Sequence, residues 1–574
     1  MVSGKRVAQP RYLQKPVPRQ RMSGGRFIAE TFKGYGVTHV FFVEAIARLA
    51  LVEMEALGIE RILAHSEKAA AYMADGYARV SRRPGICMAQ SVGAANLASG
   101  LQDPYLGLSP VIAITGYKPG AAQHRNAYQE ILHNVMFDPV TKFNVRVETM
   151  EQLPYYLRQA FREATSGKPR PVHLDLAGYS GNVIVESEAD MEVVIEESFK
   201  EVPANRPSPD EEKVKAAAGL IAAASRPILV AGGGAKTSGA GPEIVQLAEM
   251  LSMPVVTSLS GKGVMMENHP LCVGVVGSYS RWCANRLVSE SDLVIYIGSQ
   301  TGDQVTNGWK VPKPGTSVIQ IDIDPSELGR SYPNSVGIAG DAKATLQSLL
   351  KQIDPKSKKS KWGKHAMEVV AKWWKEYDPL CASTAKPIRP ERLCRELTTN
   401  LPSDAILVAD TGYSGIWTGT LVPMTRPGQT YLRAAGSLGW AFPASLGAKC
   451  AAPGRPVVCF TGDGGFWYHM AELETAVRCG IKTVTVINNN FGLGQCVPHV
   501  NAAYADRKGN RDALCRFRQS SFAGVAQALG CLGIRVEDPA EIAGALKTAL
   551  KAKIPAVVEV VTDIRYEAPE PWAP

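Results

Sequence analysis

The run Gly462-Asp463-Gly464-Gly465 limits what this 574-residue chain can fold into more sharply than any other stretch. Before it, Pro456-Val457-Val458-Cys459-Phe460 is apolar, β-branched at its start and of strand length. After it, Met470, Leu473, Ala476 and Val477 recur at three- and four-residue steps, which predicts an amphipathic helix. Thr483-Val484-Thr485-Val486-Ile487 then predicts a second buried strand, running into Asn488-Asn489-Asn490. Polar residues thus gather at the carboxyl ends of neighbouring strands, where open parallel sheets place their ligands.

Glycines such as Gly464 and Gly465 let a backbone approach a diphosphate closely. Asp463 offers one charged oxygen, and Asn490, twenty-seven residues on, a neutral one. A backbone carbonyl at or near Gly492 would complete a set of protein oxygens suited to Mg²⁺, which takes few carboxylates beside phosphate oxygens and water. An ordinary tight turn is the competing reading. The strands, helix and asparagine run in register favour the ligand site.

The length suggests about three domains. A hydrophobic content of 45% and a charged content of 20% fit a soluble globular protein, and no apolar run reaches membrane-spanning length. Eleven cysteines, none in a CxxC pair, point to reduced thiols and a cytoplasmic location. Residues 1–26 hold seven basic side chains and no acid, against a net charge of +9. Lacking an apolar core or interleaved aromatics, residues 1–25 read as a basic tail, and no nucleic-acid partner is expected.

Strand and helix signals alternate through 26–190, 205–352 and 385–574, an α/β pattern of three doubly wound parallel-sheet domains. Residues 185–210, acidic then proline-rich, read as a linker. So does 351–364 (KQIDPKSKKSKWGK), a basic and solvated one.

The stretch GDGGFWYHMAELETAVRCGIKTVTVINNN resembles the diphosphate-binding motif of thiamine diphosphate (ThDP) enzymes, within them the acetolactate synthase and 2-hydroxyacyl-CoA lyase branch. The resemblance runs over most of the chain and implies pyrimidine-binding, central and diphosphate-binding domains in that order. It makes Asp463, Asn490 and the Gly492 carbonyl the metal ligands, and Gly464, Gly465 and Leu493 part of the cofactor cradle. Glu67 matches the glutamate that hydrogen-bonds the aminopyrimidine and promotes proton loss from thiazolium C2, giving a C2 carbanion. Gln129 matches a glutamine facing the reacting centre, and Ile416 the apolar wedge that bends the cofactor. Gly436 and Leu438 match the segment receiving the aminopyrimidine, and Asn96 ends the Ser-Gly-Pro-Gly-x-x-N turn, here Gln90-Ser91-Val92-Gly93-Ala94-Ala95-Asn96. The family's geometry further implies a homodimer or homotetramer, with Glu67 and Asp463 meeting across a subunit interface.

Departures from the pattern bear on substrate. Where acetolactate synthases carry Arg-Phe-Asp-Asp-Arg, this chain has Gln300-Thr301-Gly302-Asp303-Gln304, without either arginine. Met-His-Gly near the flavin becomes Ser278-Tyr279-Ser280, and Phe41-Phe42-Val43-Glu44-Ala45 replaces Gly-x-Pro-Gly. Gln495, Cys496 and His499 stand where apolar and tryptophan side chains are usual, giving a more polar substrate pocket. The resemblance therefore implies a ThDP- and Mg²⁺-dependent carbon–carbon lyase or carboligase acting on 2-oxo or 2-hydroxyacyl compounds. Alternatives are an acetolactate synthase catalytic subunit, and a 2-oxoacid decarboxylase or flavin-linked oxidase. FAD or ADP in the central domain stays open, as does Arg281 or Lys262 supplying the missing positive charge.

Overall fold

The computed structural model describes residues 19–574; the basic stretch before them lies outside the described residues. It contains three six-stranded, wholly parallel sheets. Two compact units carry them, one ending at Asn205 and one spanning Arg206–Pro574.

In the first unit the sheet runs Glu60–Leu63, His39–Phe42, Gly85–Ala89, Val111–Tyr117, Val172–Ala177 and Phe143–Val147 across its width. The central strands are buried on both faces, so they read as unbroken apolar runs rather than alternating ones. Residues 20–25 do not belong to a tail. Gln20–Ser23 pairs antiparallel with Glu188–Met191, and Ser23 caps the helix Gly24–Gly34 by accepting from Arg26 N at 3.1 Å. The expected tail and the expected 185–210 linker thus supply two partner strands. Charge was the misleading signal: Arg21 sits outward beside Glu188 at 3.0 Å while Met22 points inward.

In the second unit one sheet is ordered Cys272–Val275, Val255–Thr257, Pro227–Ala231, Leu293–Ile297, Ser317–Asp322 and Val336–Ala339. The direction of winding reverses between Pro227–Ala231 and Leu293–Ile297, and there glycine turns meet. A Cβ at Gly232 would lie 2.1 Å from the Gly298 carbonyl oxygen, so both turns depend on bare backbone. The last sheet is ordered Thr430–Arg433, Ile406–Ala409, Val457–Gly462, Val484–Asn489, Ala556–Val561 and Leu532–Val536. Its winding reverses between Ile406–Ala409 and Val457–Gly462, which opens a crevice beyond their carboxyl ends.

These two sheets share one core. The stretch expected as a solvated linker at 351–364 enters the helix Ser360–Cys381, whose buried Trp362, Ala366, Val369 and Trp373 face that core. Trp362 Nε1 donates to the Pro227 carbonyl at 2.9 Å. The lysine-rich composition masked an apolar stripe at helical spacing.

A buried charge cluster also joins the two halves of this unit. Glu267 accepts from Lys262 Nζ and, at 3.2 Å, from Arg281. It further accepts from Met424 N at 3.1 Å. The cations reach on to the final carbonyls of the helix Tyr413–Leu421, Lys262 to Gly419 at 3.1 Å and Arg281 to Thr420 at 2.8 Å. Both are thus consumed by structure, which removes them as mobile substitutes for the missing arginines. Glu267→Ala would strand two buried cations and should cost about 3–5 kcal/mol. Urea unfolding should show this unit melting earlier; an unshifted transition would contradict the role given to Glu267.

Candidate active site

In the first unit Ser66 caps the helix Glu67–Ser81, its Oγ accepting from Ala69 N at 3.1 Å, which sets Glu67 in the first turn. The helix Gly93–Gly107 packs against it so closely that a Cβ at Gly100 would lie 2.6 Å from the Ala71 Cβ. Arg79 fastens the pair from within, bonding Asp75 at 2.6 Å and Asp103 at 3.0 Å, both carboxylates buried. That register brings Asn96 Nδ2 to Glu67 Oε2 at 3.1 Å. The other oxygen, Oε1, lies over Gly93, where a Cβ would approach to 2.4 Å. Ser91, one turn earlier, donates to the Gln129 carbonyl oxygen at 2.5 Å. Glu67, Asn96 and Gln129 are therefore all tied to one turn at the end of the strand Gly85–Ala89.

In the second unit Asp463 leaves the strand Val457–Gly462 and is buried at the winding reversal. Burial pushes its carboxyl up to about 7, opposed by hydrogen bonds from the backbone N–H groups of Gly492 and Asn490. The three asparagines divide their work. Asn488 Oδ1 accepts from Thr562 at 2.7 Å, and Asn489 donates to Glu559 at 2.7 Å and accepts from Phe491 N at 3.1 Å. Asn490 Oδ1 alone of their side-chain oxygens is buried with no hydrogen-bond partner among the described residues. A buried carboxylate held near neutrality beside an orphaned amide oxygen fits a hard cation, which would satisfy both. Among the described residues no three His, Cys, Asp or Glu side chains gather around a metal position, so such a cation would rely on this sparse oxygen set and its ligand's own oxygens.

The glycines after Asp463 are both required. A Cβ at Gly464 would lie 2.5 Å from Leu493 Cδ2, and one at Gly465 would lie 2.8 Å from Asp410 Oδ2. Asp410 escaped the sequence reading. Its buried carboxylate accepts from Thr411 N at 2.8 Å, Gly439 N at 3.1 Å and Thr461 Oγ1 at 3.1 Å, and burial pushes it up to about 6. It thereby holds the Gly436–Leu438 segment against the Asp463 turn. An acid directly after a strand and two residues before a glycine was the available signal.

Other expectations shift in detail. The helix expected after the glycine turn is split into Asp463–Phe466 and Glu472–Arg478, and Val477 is 36% exposed. Ile416 is buried within the helix Tyr413–Leu421, which begins after Gly412 at φ +64°. Gln495 packs there, its Oε1 only 2.8 Å from where a Gly412 Cβ would be. Cys496 and His499 are exposed, His499 on the helix Val497–Tyr504. The structure thus gathers Asp463, Gly464, Gly465, Asn490, Gly492 and Leu493 in one unit, and Glu67, Asn96 and Gln129 in the other.

The sequence matches three family models: the thiamine pyrophosphate enzyme N-terminal TPP binding domain over 22–137, central domain over 214–349 and C-terminal TPP binding domain over 410–560. It is 34% identical to a probable acetolactate synthase large subunit of Methanocaldococcus jannaschii, covering 94% of this chain and 92% of the relative. A second such subunit, from Methanococcus aeolicus, is also 34% identical over 88% of this chain and 85% of its own length. The acetolactate synthase isozyme 1 large subunit of Escherichia coli is 30% identical, with 83% of each chain covered. This chain belongs to the thiamine diphosphate enzyme family, in its acetolactate synthase-like branch.

Proposed function

We propose that this ThDP enzyme binds its cofactor's diphosphate through one Mg²⁺ and makes or breaks a carbon–carbon bond beside a carbonyl, on 2-oxo or 2-hydroxyacyl compounds. The orphaned Asn490 Oδ1 beside buried Asp463 is the observation that carries this reading. Bound ThDP supplies a nucleophilic carbon and an electron sink. Asp463, Asn490 and the Gly492 carbonyl would hold the cation, while Gly464, Gly465 and Leu493 would shape the backbone that receives the diphosphate. Asp410 fixes the loop of Gly436 and Leu438 that meets the pyrimidine, and Ile416 braces the cofactor from its buried helix.

Glu67 has one oxygen engaged by Asn96 and the other over Gly93, so the second would be the one to exchange a proton with a bound pyrimidine ring. Gln129 offers an amide to the donor's oxygen. Gln495, Cys496 and His499 line the acceptor's approach. The complete site combines Glu67 of one copy with Asp463 of another in a homodimer or homotetramer. Consistent with such burial, Tyr128 and Val135 of the first unit are 73% and 74% exposed in the single chain.

The relatives' printed name favours acetolactate synthase itself as the second reading. Against full proficiency stand Gln300 and Gln304 in place of arginines, and the commitment of Lys262 and Arg281 to Glu267.

Four outcomes test these assignments. Asp463→Ala should abolish Mg²⁺–ThDP binding in a calorimetric titration, and retained wild-type affinity would refute the metal assignment. In the unaltered protein the proton on Asp463 competes with the cation. Its affinity should therefore fall below about pH 7, by up to about tenfold per unit, and hold steady above it. Glu67→Gln should leave the cofactor bound but slow deuterium exchange at its C2 by about a hundredfold or more. Exchange at the unaltered rate would take Glu67 out of the reaction. Finally, pyruvate self-condensation should run roughly ten- to a hundredfold below carboligation of pyruvate with an uncharged aldehyde, the cost of a missing guanidinium–carboxylate pair. Equal efficiencies would favour acetolactate synthase proper.

A further inference from the structure

Gln129 sits in a strained loop. Three of its non-glycine residues, His124, Asn126 and Gln129, hold φ at +59°, +54° and +60°. Side chains disfavour that left-handed region, so such a loop keeps its shape only where outside contacts fix it. Two contacts are close to hand: His124 N donates to Glu130 Oε1 at 2.7 Å, and Ser91 Oγ donates to the Gln129 carbonyl at 2.5 Å. The first lies within the loop. The second ties it to the turn that also underlies Glu67.

That turn has little freedom. Ser91 is 1% exposed, and Gly93, two residues on, lies beneath Glu67 Oε1. Gln129 Oε1 is buried and has no hydrogen-bond partner among the described residues, so the amide is held without a protein acceptor or donor of its own at that atom. Its direction must then come from its backbone. Ser91 stands where the resembled turn carries glycine, and a glycine could not make this bond.

We propose that Ser91 is a positioning residue: through its hydrogen bond to the Gln129 carbonyl, it sets the Gln129 amide in register with the Glu67 carboxylate for the carbon–carbon bond step. This rests on the reading of Gln129 as facing the reacting centre. A structural serine alone would be replaceable without consequence for turnover once folding is intact.

The test uses the ThDP-loaded full chain as Ser91→Ala, Ser91→Gly and Ser91→Thr, with Gln129→Ala beside them. Amide hydrogen exchange across 124–130 should rise about tenfold in the alanine and glycine variants, the loss of one hydrogen bond, and stay near wild type with threonine. In carboligation of pyruvate with benzaldehyde, kcat should fall about tenfold in the same two variants and recover with threonine, with deuterium exchange at C2 unchanged because Glu67 is untouched. Unchanged amide exchange across 124–130 in both variants would overturn the proposal. So would raised exchange with unaltered kcat. If Gln129→Ala leaves kcat unchanged, or the unaltered enzyme fails to join these substrates, the fault lies in the reading of the site. The amide exchange still decides what Ser91 holds.

Discussion

The half of the candidate site around Asp463 depends on one buried acceptor. Asp410 ends the strand Ile406–Ala409 and collects hydrogen bonds from its own turn, from the Gly439 amide and from the Thr461 hydroxyl. Three segments distant in sequence are thereby fixed around one carboxylate, with Gly465 pressed against it. A neutral side chain of similar size could not accept all three donors, and each unmatched buried donor carries a cost of about 1–3 kcal/mol. The sheet's winding reversal opens the crevice, and Asp410 decides how its walls are spaced.

The other half follows a different logic. There the anchoring charge is remote from the candidate residue: Arg79 bridges Asp75 and Asp103 inside the helix pair, more than two turns from Glu67. The interior pair sets the register, and the register delivers Asn96 to Glu67 at the exposed end. Burial and reactivity are thus separated along the same two helices. The carboxylate proposed to exchange protons, Glu67, stays near the surface of its unit, and the carboxylates that set the helix register are sealed inside it.

How much of this was legible in the sequence depended on range. Asp463 followed by two glycines at the end of an apolar strand is a local pattern, and that turn forms as read; Ser66 capping the helix that opens with Glu67 is an equally local signal. The Asn488-Asn489-Asn490 run was legible as a site but not in its division of labour, since Thr562 and Glu559 lie seventy residues away. Asp410 offered only its place after a strand and before a glycine, and Ser91 only its place in a turn, because the partners of both come from other segments. Trp362 was a local signal overlooked, because five neighbouring lysines suggested solvent while the tryptophan faced the core.

The cluster of Lys262, Glu267 and Arg281 has a consequence for the modularity of such chains. Its cations end on main-chain carbonyls of the helix that carries Ile416, so the central sheet and the last sheet recognise each other through charge matched to backbone. Backbone acceptors are present in any sequence, and the seam therefore tolerates drift on the helix side while forbidding it on the other. A chimera that grafts a foreign central domain onto this final domain inherits a working joint only if the donor brings all three charges together. The joint is coded in one partner, and recombination across it is asymmetric.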